Sequence, residues 1–210
     1  MGRLKNGASG AVTGKVGGVV TYELRGQTVA RKVGTRKFKA TANQLPCREG
    51  MRVVNAFLKP IKGLINLGFL FEAEGTTKNQ YNVATSYILL NALKGKFPNI
   101  SIDYDKVMIS AGKLKPISNP SVSKSSQSIR LDWTYDSNTE FANRNDRTMI
   151  LLIFSNGDEP IYFLSGSLRS EENQIIDLGP KSLSGSFHIY VCFFAEDRAS
   201  VSDSKYLYIA

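Results

Sequence analysis

The sequence predicts an α+β fold: an N-terminal β-hairpin plus short helices, followed by an all-β sandwich. Three observations carry this. Strand-forming residues stand on both sides of a turn at Arg25-Gly26. Between Thr41 and Gly95, apolar residues recur at helical spacing. After Pro120 the period falls to two, and short apolar runs alternate with turn signals.

In chain order, residues 1–14 are small and glycine-rich and read as an extended basic arm. Val16, Val19, Val20, Tyr22 and Leu24 suit a strand, and Gln27 to Val33 returns as its partner. Residues 34–40 continue as a third basic strand or a loop. Thr41 or Asn43 is placed to cap a helix whose first turn holds Pro46. Its apolar stripe is Met51, Val54, Phe57 and Leu58, and Pro60 ends it at Lys59. Ile61, Leu64, Ile65 and Leu67 form a second short helix to Gly68. A third runs from about Asn79 to Lys94 with a stripe at Val83, Tyr87 and Leu90, Ala84 and Ile88 alongside, and Gly95 as its stop. Residues 101–105 and 106–110 alternate weakly and read as a strand pair or one bent strand.

The polar join from Lys115 to Pro120 marks a shift in composition, and the domain boundary is placed there. The organisation is then an arm over 1–14, a basic hairpin-plus-helices domain over 15–115 and a sandwich over 116–210. In the last part, Ile129, Leu131 and Trp133 alternate with polar residues. Strands follow at Met149 to Phe154, Ile161 to Leu164, Gln174 to Leu178, Phe187 to Ala195 and Lys205 to Ile209.

Charge divides the same way. Residues 1–115 carry 19 Lys and Arg against 6 Asp and Glu, a net of +13. Residues 116–210 carry 8 against 12, a net of −4, which leaves +9 for the whole chain. A basic front joined to an acidic back predicts two different partners, or head-to-tail contact between copies. Cys47 and Cys192 form no C-x-x-C motif and have one histidine, His188, to join them. No zinc-type site is indicated, and two reduced, buried thiols are expected. The N-terminus has no apolar run of the secretory kind, which predicts cytoplasmic synthesis. No stretch of about 18 apolar residues predicts a membrane span.

Two resemblances add to this. Ile129-Arg-Leu-Asp-Trp133 and Tyr190-Val-Cys-Phe-Phe-Ala195 resemble the second and penultimate strands of a fibronectin type III or immunoglobulin-like domain. The Trp133 strand holds no cysteine to pair with Cys192, so the resemblance is to the fibronectin III-like version. It implies a spacer, adhesive or assembly module. Gly14-Lys-Val-Gly17, the basic hairpin, the helical segment from Leu45 to Phe69 and Ile102-Asp-Tyr-Asp105 resemble a bacterial domain-of-unknown-function family. That resemblance implies no catalytic residues.

No catalytic signature emerges. Gly14-Lys15 invites a phosphate-loop reading, but Ser9 stands where that motif needs glycine and Val16 where it needs Ser or Thr. His188 lies in a strand without an orienting carboxylate or nucleophile nearby and reads as surface-facing. Asp103 and Asp105 fall on one strand face and read as a solvated edge. Cys47 beside Arg48 reads as structural. No cofactor, metal or small-molecule substrate is indicated.

The feature that points to function is the basic leading segment. Arg3, Lys5, Lys15, Arg25, Arg31, Lys32, Arg36, Lys37 and Lys39 face one acid, Glu23. These nine are the candidate contacts, either to another protein copy or to phosphate. A glycine-laden segment with little side-chain bulk orders on contact with something else. The expectation is a non-enzymatic structural protein that self-assembles, as a component of a phage-like virion, tube or filament. The alternative is a basic nucleic-acid-associated protein that packages or coats, and the third reading is a protein-binding adaptor.

Overall fold

The computed structural model describes residues 2–4 by their backbone, and residues 12–24, 26–35, 39–125, 127–138, 140, 142–178 and 185–210 in full. The fold is α+β, with an N-terminal antiparallel sheet, four helices and further antiparallel sheets. It divides into two compact units, Met1–Thr41 and Ala42–Ala210.

The first unit is a meander. Strands β1 (Gly2–Leu4), β2 (Val12–Val16), β3 (Val19–Leu24) and β4 (Gln27–Lys32) pair in that order. The hairpin predicted across Arg25-Gly26 is present as β3 and β4, with Leu24 opposite Gln27. The run from Lys15 to Leu24 is not one strand. It breaks at Gly17-Gly18, where Gly17 adopts a left-handed φ of 55° that favours glycine. Where the composition suggests an extended arm, Gly2–Leu4 pairs with Val12 to Gly14.

The second unit opens with α1 (Gln44–Leu58). Asn43 stands at its N-cap position without a side-chain cap bond. Gly50, Val54 and Leu58 are buried, an i, i+4, i+8 row, while Met51 faces out. The predicted stripe was thus turned off its true centre, because Gly50 adds no hydrophobicity to the pattern yet lies against Leu93. After the Pro60 break come α2 (Lys62–Gly68) and α3 (Leu70–Ala73); the latter was not foreseen.

Helix α4 (Gln80–Asn91) starts as expected, with the Asn79 side chain accepting from the Asn82 N–H at 2.7 Å. It ends before Lys94, because Leu93 and Lys94 form β5 (Leu93–Lys94), paired with β6 (Ser101–Ile102). Gly95, with φ at 85°, begins the turn between those strands rather than stopping a helix. The buried face of α4 is Ala84, Thr85 and Ile88, and Leu90 is exposed. The strand reading of 101–110 also fails beyond Ile102. Tyr104–Lys106 is a 3₁₀ turn, which removes the alternation assumed for Asp103 and Asp105.

Seven strands complete this unit. They are β7 (Ser118–Lys124), β8 (Ser128–Thr134), β9 (Arg147–Phe154), β10 (Ile161–Phe163), β11 (Asn173–Asp177), β12 (Phe187–Phe194) and β13 (Lys205–Ile209). Strand β7, unpredicted, grows out of the polar join. One sheet has the order β10-β9-β12-β13, the other β11-β8-β7. Met149, Leu151, Tyr190 and Cys192 point from the first sheet into a core shared with Val54, Leu58, Leu64 and Ile88 of the helices. Ile150, Leu152, Ile189, Val191 and Phe193 point the other way, into a core shared with Ile129, Leu131 and Trp133 of β8. Coverage on both faces explains why β9 and β12 read as nearly continuous apolar runs while β8 alternates. Helices and sheets therefore lie in one unit, and the join at 115–120 falls inside it.

Candidate functional site

Antiparallel register decides which side chains of the N-terminal sheet share a face. Lys15 lies opposite Val20, and Val20 opposite Arg31, so these three form a row across the sheet. Val16, Val19 and Lys32 form the next row, which faces the other way. Tyr22 and Leu24 lie on the Lys15 side, and the Arg31 guanidinium sits 5.8 Å from the Tyr22 ring centroid. Apolar residues therefore occupy both faces. Val16 is 56%, Val19 43%, Tyr22 37% and Leu24 50% exposed. Among the described residues of this unit, none is buried.

Of the nine predicted contacts, Lys15 and Arg31 are brought together on one face and Lys32 stands on the other. Lys39 is exposed outside the strands. Arg3 is described by its backbone in β1, opposite Thr13. Lys5, Arg25, Arg36 and Lys37 lie outside the described residues, as does Ser9 of the phosphate-loop comparison. Lys15 and Val16 belong to a strand, not to a loop that opens a helix.

Elsewhere, the chemistry-bearing residues are held by partners. His188 is not simply surface-facing: Tyr104 stacks on it at 4.0 Å between centroids and 16° between planes. The Tyr206 hydroxyl lies 2.8 Å from His188 Nδ1. Burial, with Lys94 adding to it, holds the imidazole below its ordinary pKa. Asp103 pairs with Lys106 at 2.9 Å and with Lys94 at 3.6 Å. Cys192 is buried, and burial pushes its thiol up to about 12. Cys47, expected to be buried, is exposed: it shares the helix face of Val54 but lies in the first turn of α1, before burial begins at Gly50. An open groove of about 500 Å³ lies beside this region, lined by Tyr87, Asn91, Asp105, Lys106 and Tyr206. Among the described residues, no group of three His, Cys, Asp or Glu side chains is placed to hold a metal ion.

Arg169 and Asp146 were missed by the sequence reading. Arg169 Nε donates to Asp146 Oδ2 at 3.0 Å, and Nη2 donates to the Lys115 carbonyl at 2.9 Å. Its guanidinium lies 3.8 Å from the Phe193 ring centroid. The Arg169 carbonyl accepts from Trp133 Nε1 at 2.8 Å. This network binds β8, β12, the 115–120 join and Asp146, the residue just before β9. Among the described residues, no buried side-chain nitrogen or oxygen lacks a hydrogen-bond partner.

The sequence pattern that defines DUF6266, a family of unknown function, matches residues 10–208. The chain belongs to that family. The match runs from the N-terminal meander through β13, so DUF6266 takes in both units rather than either one alone. No curated protein matches the chain. Among the described residues, no helix is long and apolar enough to cross a membrane.

Proposed function

We propose that this DUF6266 member is a non-enzymatic structural protein that assembles with copies of itself, as a component of a phage-like virion, tube or filament. One observation carries the reading: the N-terminal sheet bears apolar side chains on both faces and buries none of its described residues. A sheet of this composition gains stability when a surface covers it, and a sister molecule is the occupant that its charge favours. Residues 1–41 carry nine basic residues and one acidic residue, whereas residues 116–210 carry a net −4. The front of one copy therefore complements the back of the next, a heterologous contact that builds rings or filaments.

The C-terminal strands fit an assembly module. We propose that they form a fibronectin III-like sandwich. The orders β11-β8-β7 and β10-β9-β12-β13, joined by a common apolar core that holds Trp133, support it.

Size-exclusion chromatography with light scattering, followed by negative-stain microscopy, tests the assembly. The wild-type chain should form dimers or larger particles, and the Val16→Asp/Val19→Asp variant should shift toward monomer while keeping the wild-type circular-dichroism spectrum. A wild-type monomer at the highest attainable concentration overturns the proposal.

The nucleic-acid reading keeps one specific support, the Lys15–Val20–Arg31 row with Arg31 over Tyr22. Such binding would be sequence-blind and would fall steeply between about 50 and 200 mM salt. Absence of any mobility shift for DNA or RNA at the lower salt removes it.

A further inference from the structure

A second cavity, of about 240 Å³, opens at one end of the central sheet. It forms where β9 begins and where β10 and β12 end, and the last turn of α2 contributes Leu67. Leu164 and Phe194 complete an apolar wall, and Arg147, Arg198 and Glu196 supply the charge.

Neither arginine has an ion-pair partner among the described residues. Arg147 Nη1 makes one long bond, 3.3 Å, to the Gly166 carbonyl. Glu196 offsets one of the two charges, and its Oε2 also accepts from Asn145 Nδ2 at 2.8 Å. Two guanidinium groups against one engaged carboxylate leave the site electropositive. Arg198 also holds a left-handed backbone, φ 57°, in the turn after β12, with its N–H donating to the Ala195 carbonyl at 2.9 Å. Glycine or asparagine is the ordinary occupant of that conformation. A long cationic side chain there carries a backbone cost that the turn alone does not require.

From this geometry we infer that the cavity binds a small organic carboxylate with a compact apolar body. The carboxylate takes the arginine side, where guanidinium groups offer paired donors, and the hydrocarbon lies on Leu67, Leu164 and Phe194. The volume is below the roughly 300–1,000 Å³ of sites for drug-sized ligands, which limits the ligand to a small one. Glu196 in the lining disfavours dianions. The inference stands whether or not the chain assembles.

Isothermal titration of the full chain with 4-methylpentanoate, its neutral twin 4-methylpentanamide and inorganic phosphate tests this. The carboxylate should bind saturably at one site, with the amide and phosphate each weaker by at least about tenfold, the scale of one lost charge-assisted hydrogen bond. Arg198→Gly relieves the left-handed backbone, so it should fold with an unchanged or higher melting temperature and still lose carboxylate binding by about tenfold or more. Arg147→Gln should weaken binding in the same direction. No saturable binding of the carboxylate, equal binding of carboxylate and phosphate, or wild-type affinity in Arg198→Gly would each overturn the assignment.

Discussion

Arg169 and Asp146 form an ion pair at 3.0 Å inside the fold, where their side chains are 4% and 1% exposed. Burial pushes the Asp146 carboxyl up while Arg169 pulls it back. The Asn143 N–H donates to the same Oδ2 at 3.1 Å. Removing one member strands the other. Arg169→Ala should cost about 3–5 kcal/mol by urea denaturation, and Asp146→Ala a similar amount. The Arg169→Met/Asp146→Leu double variant should recover much of that loss. Additive losses in the double variant would show that the pair is not coupled.

The two cysteines should differ sharply in reactivity. Cys47 is exposed and Cys192 is buried with its thiol pushed up to about 12. At pH 8, a thiol reagent should label one cysteine in the folded protein and both in denaturant. Rapid labelling of both without denaturant would contradict the packing of β12 against the helices.

His188 makes stability depend on pH. Burial lowers its pKa in the folded protein, with Lys94 adding to the effect, so the folded state binds fewer protons than the unfolded chain around the titration. Stability should therefore rise as pH climbs from below the lowered folded value to the ordinary value of about 6.5, and level off above it. Charged and titratable neighbours of the imidazole include Tyr104, Tyr206, Tyr208 and Lys94. Melting curves across this range should flatten in His188→Gln. An unchanged slope in that variant would place the proton uptake elsewhere.

Gly112 is held against backbone. A Cβ there would overlap the Val201 carbonyl oxygen, which accepts from the Leu114 N–H at 3.1 Å. Gly112→Ala should destabilise by about 1–3 kcal/mol through overpacking. Gly34, with open space around its would-be Cβ, should tolerate alanine within about 0.5 kcal/mol. Equal effects at the two sites would show that residues 112 and 201 do not meet as described.

Local pattern was enough to recover much of the fold. The β3–β4 hairpin, the helix break at Pro60 and the start of α4 near Asn79 rest on local turn and helix signals, six of the C-terminal strands show as short apolar or alternating runs, and alternation in β8 exposes its inward Ile129, Leu131 and Trp133. The nine basic residues were equally legible as a leading cationic segment. Tertiary structure decided what periodicity cannot encode. It turned α1 onto Gly50 rather than Met51, because close approach of Leu93 needs a missing side chain, not an apolar one. It ended α4 early by pairing Leu93 with Ile102, and it buried Arg169 beside Asp146, 23 residues away. It also gathered Arg147, Arg198 and Leu67 around one cavity from separate elements. Contacts between distant segments leave no local spacing in the chain, since each residue answers to a neighbour that only folding supplies.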